Sequence, residues 1–215
     1  MIKQEKDYSY HSSNPENAVD SQVTSSIKNI HTSIPAKVVS FNSANQTVTL
    51  QAQIKQLMKD GKTVDIPPLL DVPVSFPRGG GYAVTYPLTA GDEGIALFSE
   101  RCIDGWHSSG SSAEPMDYRY HDLSDAMFVP GICSIPNSIK GFFTGGLSMQ
   151  TLDGGTFIRI TNGSIMIRGN IQLSGNIAQT GGITSSSDIV ANGISLVTHT
   201  HGGVSIGSSD TGVPK

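Results

Sequence analysis

Residues 157–173 read Phe157-Ile158-Arg159-Ile160-Thr161-Asn162-Gly163-Ser164-Ile165-Met166-Ile167-Arg168-Gly169-Asn170-Ile171-Gln172-Leu173, and their reading decides the fold. Apolar residues come in short alternating bursts: Ile158 and Ile160 after Phe157, then Ile165 and Ile167, then Ile171 and Leu173. Turn-forming pairs separate them, first Asn162-Gly163 and Gly169-Asn170, then Gly175-Asn176 and Gly181-Gly182. The pattern predicts strands of about five residues joined by tight turns. Across 145–215 only six of 71 residues are charged, while 14 are glycine. One copy of such a segment has a single thin apolar face and open edges, and isolated hairpins are marginal in water. Three copies wrapped round one axis would bury the Ile, Leu and Val side chains and pair every edge. The expected product is an intertwined trimeric triple-stranded β-helix; a single-chain solenoid is the alternative.

Downstream stands Thr198-His199-Thr200-His201-Gly202-Gly203. In an extended strand, residues two apart point to one face, so His199 and His201 are expected to aim their imidazoles together. One chain then offers two nitrogen ligands. Three symmetric chains offer six, a number that suits an octahedral ion such as Fe(II) better than zinc, which prefers four tetrahedral ligands. A shell made wholly of imidazole leaves no open position, so the metal is expected to be structural. Outside a trimer, the pair is ordinary polar surface. Gly202-Gly203 permits a chain reversal, with Val204 and Ile206 as a short returning strand and Asp210-Thr211-Gly212 and Pro214 as a final turn.

Upstream, 34–135 reads as strands. Ala36–Phe41 and Thr47–Ile54 flank the turn cluster Asn42-Ser43-Ala44-Asn45, and Thr63–Ile66, Leu70–Val74, Tyr82–Tyr86 and Gly94–Phe98 follow. About 100 residues with some five strands suit an OB-like Greek-key barrel. Before it, Asn14-Pro15-Glu16 reads as a helix start, with Asn14 as N-cap. Val19, Val23, Ile27 and Ile30 continue at helical spacing, and the helix should stop before Pro35. Its apolar stripe needs a partner, either in its own domain or on a neighbouring subunit.

Composition excludes several classes. The 215-residue chain carries net charge −4 with no basic cluster, against a nucleic-acid partner. Only 15% of its residues are charged, against about 25% in typical globular domains, which fits repetitive β structure. Residues 1–7 hold no apolar core of a signal peptide, and no run reaches the roughly 18 apolar residues of a transmembrane helix. Cys102 and Cys133 read as free buried thiols, a disulfide between them being the alternative. His107, His121, Asp122 and Asp125 lack any accompanying nucleophile motif, and Asp122-Leu123-Ser124-Asp125-Ala126-Met127 reads as a capped turn or one-turn helix. Arg78-Gly79-Gly80-Gly81 lacks the Gly-Lys-Ser/Thr of a phosphate loop and reads as a tight turn. The chain is not expected to be an enzyme.

Several stretches resemble the OB-fold domain of the central spike proteins of contractile phage tails. They are Phe76-Pro77-Arg78-Gly79-Gly80-Gly81-Tyr82, Pro87-Leu88, Gly91-Asp92-Glu93-Gly94, Phe98-Ser99-Glu100-Arg101, Asp104-Gly105-Trp106 and His121-Asp122-Leu123-Ser124-Asp125-Ala126. His199-Thr200-His201 before glycine-rich sequence resembles the family's tip. The resemblance implies a mainly all-β homotrimer: arm and helix at 1–33, OB-fold domain at 34–140, β-helix spike at 141–197 and metal-binding tip at 198–215. It implies one structural iron per trimer, held by His199 and His201 of all three chains. It also implies a hub protein of the tail baseplate as partner at the OB end, transient piercing of the host outer membrane, and a place at the tip of the virion tail after assembly in the host cytoplasm. Some relatives carry a lysozyme domain between barrel and β-helix, for which this chain has no room. A type VI secretion spike shares the architecture. A receptor-binding or glycan-degrading tail spike would need an aromatic-rich surface, and 145–215 holds one aromatic, Phe157.

Overall fold

The computed structural model describes residues 15–58, 60–203 and 207. The expected N-cap Asn14, and the returning strand and turn placed on Val204, Ile206, Asp210–Gly212 and Pro214, lie outside the described residues. The chain divides into two compact units: the part up to Gly145 together with Gln150–Gly155, and Gly146–Met149 together with the part from Thr156 onward.

In the first unit, α1 spans Pro15–Lys28, with Glu16 in its first turn and Lys28 in its last, each charge matched to its end of the helix dipole. The apolar stripe finds no partner among the described residues: Val19, Val23 and Ile27 are all more than half exposed, and Ile30, just past the helix, nearly so. The strands that follow are β1 (Ser33–Asn42), β2 (Thr47–Ala52), β3 (Gln56–Leu57), β4 (Thr63–Val64), β5 (Leu69–Pro73), β6 (Arg78–Gly79), β7 (Tyr82–Ala83), β8 (Glu93–Phe98) and β9 (Ala126–Pro130). Five of them form one antiparallel sheet in the order β5-β2-β1-β8-β9. A parallel bridge from Val74 to Phe128, with Ser75 N–H donating to Phe128 O at 2.8 Å, brings the two outer strands together. The curled sheet is thus an OB-like, partly open barrel.

Alternation explains its interior. Ala36 and Val38 of β1, Val48 and Leu50 of β2, Leu69 and Val72 of β5, Ala96 and Phe98 of β8, and Ala126 and Phe128 of β9 close one apolar core. A bulge between Val38 and Ser40 lets the long strand β1 coil from one neighbour to the other. Gly94 is where β8 and β9 press closest: a Cβ there would lie 2.5 Å from the Phe128 ring and from Val129 O.

The sequence pattern placed β2, β5 and β8 within a residue or two of their observed ends and β1 within three, since β1 already begins at Ser33. It missed β9, because the polar start of Asp122–Met127 reads as a turn. The turn is real, a 3-10 helix at Leu123–Asp125 whose cap Asp122 accepts from Ser124 N–H at 2.8 Å, but Ala126 and Met127 already belong to the fifth barrel strand. Tyr82–Tyr86 shortens to β7, which pairs only with β6. The Arg78–Gly81 stretch is a tight hairpin turn, as expected, with Gly80 and Gly81 at φ +55° and +84°.

Two polar locks fasten the loops to the barrel. Asp125, fully buried, accepts Arg119 Nε at 2.7 Å and Nη2 at 3.0 Å, and also Ile103 N–H at 3.0 Å. The same guanidinium reaches Asp104 Oδ2 at 2.7 Å, which ties the short helix α2 (Asp104–Ser109) to the 3-10 turn. Glu93 accepts Ser134 N–H at 2.6 Å, Ser134 Oγ at 3.0 Å and Asn137 Nδ2 at 2.8 Å, and pairs with Lys37 at 3.2 Å. The Ser134 backbone bond leads the causes that hold its carboxyl down at about 2, against an ordinary 4.5.

In the second unit, β10 (Leu147–Gln150), β11 (Phe157–Thr161) and β12 (Ser164–Arg168) form a sheet in that order. The β11–β12 hairpin turns at Asn162-Gly163, as expected, and pairs Ile158 with Ile167 and Ile160 with Ile165. These four isoleucines share one face and are 43–69% exposed. Beyond Arg168 the chain runs without strand partners to the small hairpin of β13 (Val190–Ala191) and β14 (Ile194–Ser195). Among the described residues, no backbone-to-backbone hydrogen bond involves 170–187.

Removing the guanidinium would strand a buried carboxylate, a loss of about 3 kcal/mol or more. Arg119→Ala is therefore expected to lower the unfolding free energy, read from denaturant titration, by that amount, with α2 released. A carboxyl depressed in the folded state stabilises at pH above its unfolded value, and the contribution is lost as pH falls toward about 2. Glu93→Gln should be less stable than wild type at pH 7, and thermal melts should show the difference shrinking between pH 4.5 and 2.

Candidate metal centre

The residues leading to the histidine pair are organised by a turn. Asn192 and Gly193, at φ +50° and +81°, make the two-residue loop between β13 and β14. Ser195 then gathers the following chain: its Oγ accepts Val197 N–H at 3.2 Å and Thr198 N–H at 2.8 Å, and its carbonyl accepts His199 N–H at 3.2 Å. Asp188 accepts Val197 N–H at 3.1 Å. The Ser195 hydroxyl is the main cause holding the Asp188 carboxyl below the ordinary range, and the Val197 N–H adds to it. His199 therefore follows a turn rather than the extended strand expected from sequence, because Ser195 and Asp188 capture the backbone that a strand would have left free.

The two rings nonetheless lie side by side, with centroids 5.2 Å apart and planes at 78°, and both residues are exposed. His199 Nδ1 lies 2.9 Å from Ser195 O. A carbonyl only accepts, so Nδ1 is the donor in this contact, and Nε2 is the nitrogen left for a metal. Pinning one nitrogen to a backbone carbonyl is how a metal-binding imidazole is oriented. The pair fits a contribution of two nitrogen ligands, with the rest of the shell to come from elsewhere. Gly202-Gly203 turns the chain immediately after, Gly203 at φ +78°.

Another cluster of metal-ligating atoms is Cys102, Asp104 and Asp125. Arg119 already neutralises both carboxylates there, and Cys102 Sγ lies 3.3 Å from Asp104 Oδ2, so this group is a structural lock. Sequence reasoning passed over Arg119, which lies 15 and 6 residues from its two partners and carries no motif. Cys102 is buried and Cys133 exposed, both as free thiols.

Among the described residues, His107 and His121 of the barrel stand in separate surroundings. His107 lines an open cavity of about 390 Å³ with Asn45, Thr47, Asp71, Asp104 and Ser108. The Ser108 hydroxyl there bonds to the backbone carbonyls of Asp104 and Gly105 rather than to a base. His121 has φ +47° and a buried Nδ1 with no hydrogen-bond partner. No helix among the described residues is long and apolar enough to cross a membrane.

Comparison with known families gives two matches. Residues 34–131, which hold the whole five-stranded sheet apart from Ser33, match the phage protein Gp138 N-terminal domain. Residues 193–215, which begin at the Gly193 turn and include both histidines, match the GpV apex motif. No curated protein matches the chain. An OB-like domain matched by the Gp138 N-terminal model, followed on one chain by a match to the apex motif, is the arrangement of a phage central spike protein with an apex.

Proposed function

We propose that this phage tail spike protein is the central spike of a contractile-tail baseplate, and that it works as a homotrimer that punctures the host outer membrane when the tail contracts. The observation that carries the reading is the state of 170–187 in one chain. This stretch presents Ile171, Leu173, Ile177 and Ile183 to solvent at 56–75% exposure, and among the described residues its backbone groups make no hydrogen bond to other backbone groups. A compact protein does not leave such a length of backbone and apolar surface unpartnered. Three copies wound into a triple-stranded β-helix satisfy both at once. The exposed isoleucine face of β11 and β12 would extend the same core.

The domains would then run as arm and helix (1–33), OB-fold domain (34–140), spike (141–197) and tip (198–215). The OB domain would sit on the tail hub, and the tip would lead. His199 and His201 of each chain would supply six imidazole nitrogens to one structural iron ion. The ion would cross-link the three ends where fraying otherwise starts. The role is mechanical, without catalysis, because the oriented imidazoles fill a ligand shell and the barrel presents no activated nucleophile. The Gp138 description is of a phage protein, which favours a phage tail over a secretion-system spike. A glycan-degrading role is disfavoured because the aromatic of 145–215, Phe157, is covered by the Arg159 guanidinium at 3.7 Å.

Purified protein is expected to sediment as a trimer and to hold one iron per three chains by elemental analysis. His199→Ala together with His201→Ala should abolish the metal and leave the trimer intact. A metal-free wild-type trimer would overturn the tip, and a wild-type monomer the whole assembly.

A further inference from the structure

Residues 169–189 carry an internal repeat of six. Gly169, Gly175 and Gly181 recur at that interval with nearly the same backbone, φ +136°, +144° and +150°. Ile171, Ile177, Ile183 and Ile189 recur two residues after each repeat start, and all four are exposed in the single chain. Each glycine bends the chain in a conformation that a side chain would strain. Equal bends at equal intervals make residues six apart geometrically equivalent.

Equivalence creates a register problem for any assembly of copies. Shift one chain by six residues against its neighbours, and glycine still meets glycine and isoleucine still meets isoleucine. On the face of the repeating isoleucines, the position that breaks the degeneracy is the fifth of each repeat: Leu173, Gln179, Ser185 and Ala191. Leu173 lies two residues from Ile171 in the same extended run and shares its face. Gln179 therefore puts an amide where the repeat before it has leucine and the repeat after it serine.

We infer that Gln179 is the register lock of the assembled spike. In register, three Gln179 side chains meet at one level. In the single chain, Nε2 donates to Gly182 O at 2.7 Å, and Oε1 makes no hydrogen bond among the described residues. The amide thus has a second N–H and Oε1 for the same residue of the next chain, enough to close a ring of three. With one chain staggered by one repeat, its amide lies against Leu173 of both neighbours or Ser185 of both, according to the direction of the shift. The ring cannot close, and a desolvated amide goes unpaired. A single polar residue in an apolar seam fixes register in coiled coils by the same logic. The consequence reaches the tip, because a stagger would also separate the His199 and His201 side chains of the three chains.

The inference rests on the trimeric reading, and the test separates the two. A nitroxide on Ser174→Cys, in a Cys133→Ser background with Cys102 left buried, reports interchain distances by pulsed electron paramagnetic resonance, while sedimentation reports mass. The parent protein is expected to be a trimer with one interchain distance. Gln179→Leu should remain a trimer and gain a second, longer distance from chains slipped by about 20 Å, six residues at roughly 3.3 Å each. Leu173→Gln with Gln179→Leu, which moves the amide by one repeat in every chain, should restore the single distance. A single distance in Gln179→Leu, or two in the double variant, or loss of the trimer in Gln179→Leu, would overturn the lock alone. A monomeric parent would overturn the trimeric reading and the lock with it.

Discussion

A polypeptide backbone must put its N–H and C=O groups somewhere. In the first unit they go to neighbouring strands of the same chain, because β1 is long enough to pair with β2 along one part and β8 along another. The bulge near Val39 and the missing side chain at Gly94 let that sheet curl until β5 and β9 touch. The enclosed side chains, from Ala36 to Phe128, then form a core that needs no partner. In the second unit, among the described residues, no backbone group from Asn170 to Ser187 pairs with another backbone group, and the proposed function follows from that shortfall.

Charge is spent at few places, and each is a fastening. Arg119 joins α2 to the turn before β9 through two aspartates, and Glu93 holds the segment that leaves β9. Asp188 and Ser195 together set the turn from which His199 emerges. The rest of the second unit is nearly uncharged, as the proposed assembly requires. Its hydroxyl and amide side chains bond locally, as Gln179 does to Gly182 and Ser185 to Ser187.

The amino-acid order by itself determined the all-β character, the turn at Asn162-Gly163, the shared isoleucine face of the following hairpin and most of the barrel strands. These depend on period-two alternation and on residues whose backbone preferences are local. It also singled out His199 and His201 as a pair, because two imidazoles two residues apart beside paired glycines stand out in a tract without charge. The tertiary structure alone decided the strand order β5-β2-β1-β8-β9, the parallel closure at Phe128 and the Asp104–Arg119–Asp125 lock. Those contacts join residues distant in the chain, and no local preference records them. It decided as well that the histidines follow a turn: Ser195 takes their backbone through hydrogen bonds that alternation of apolar residues cannot announce.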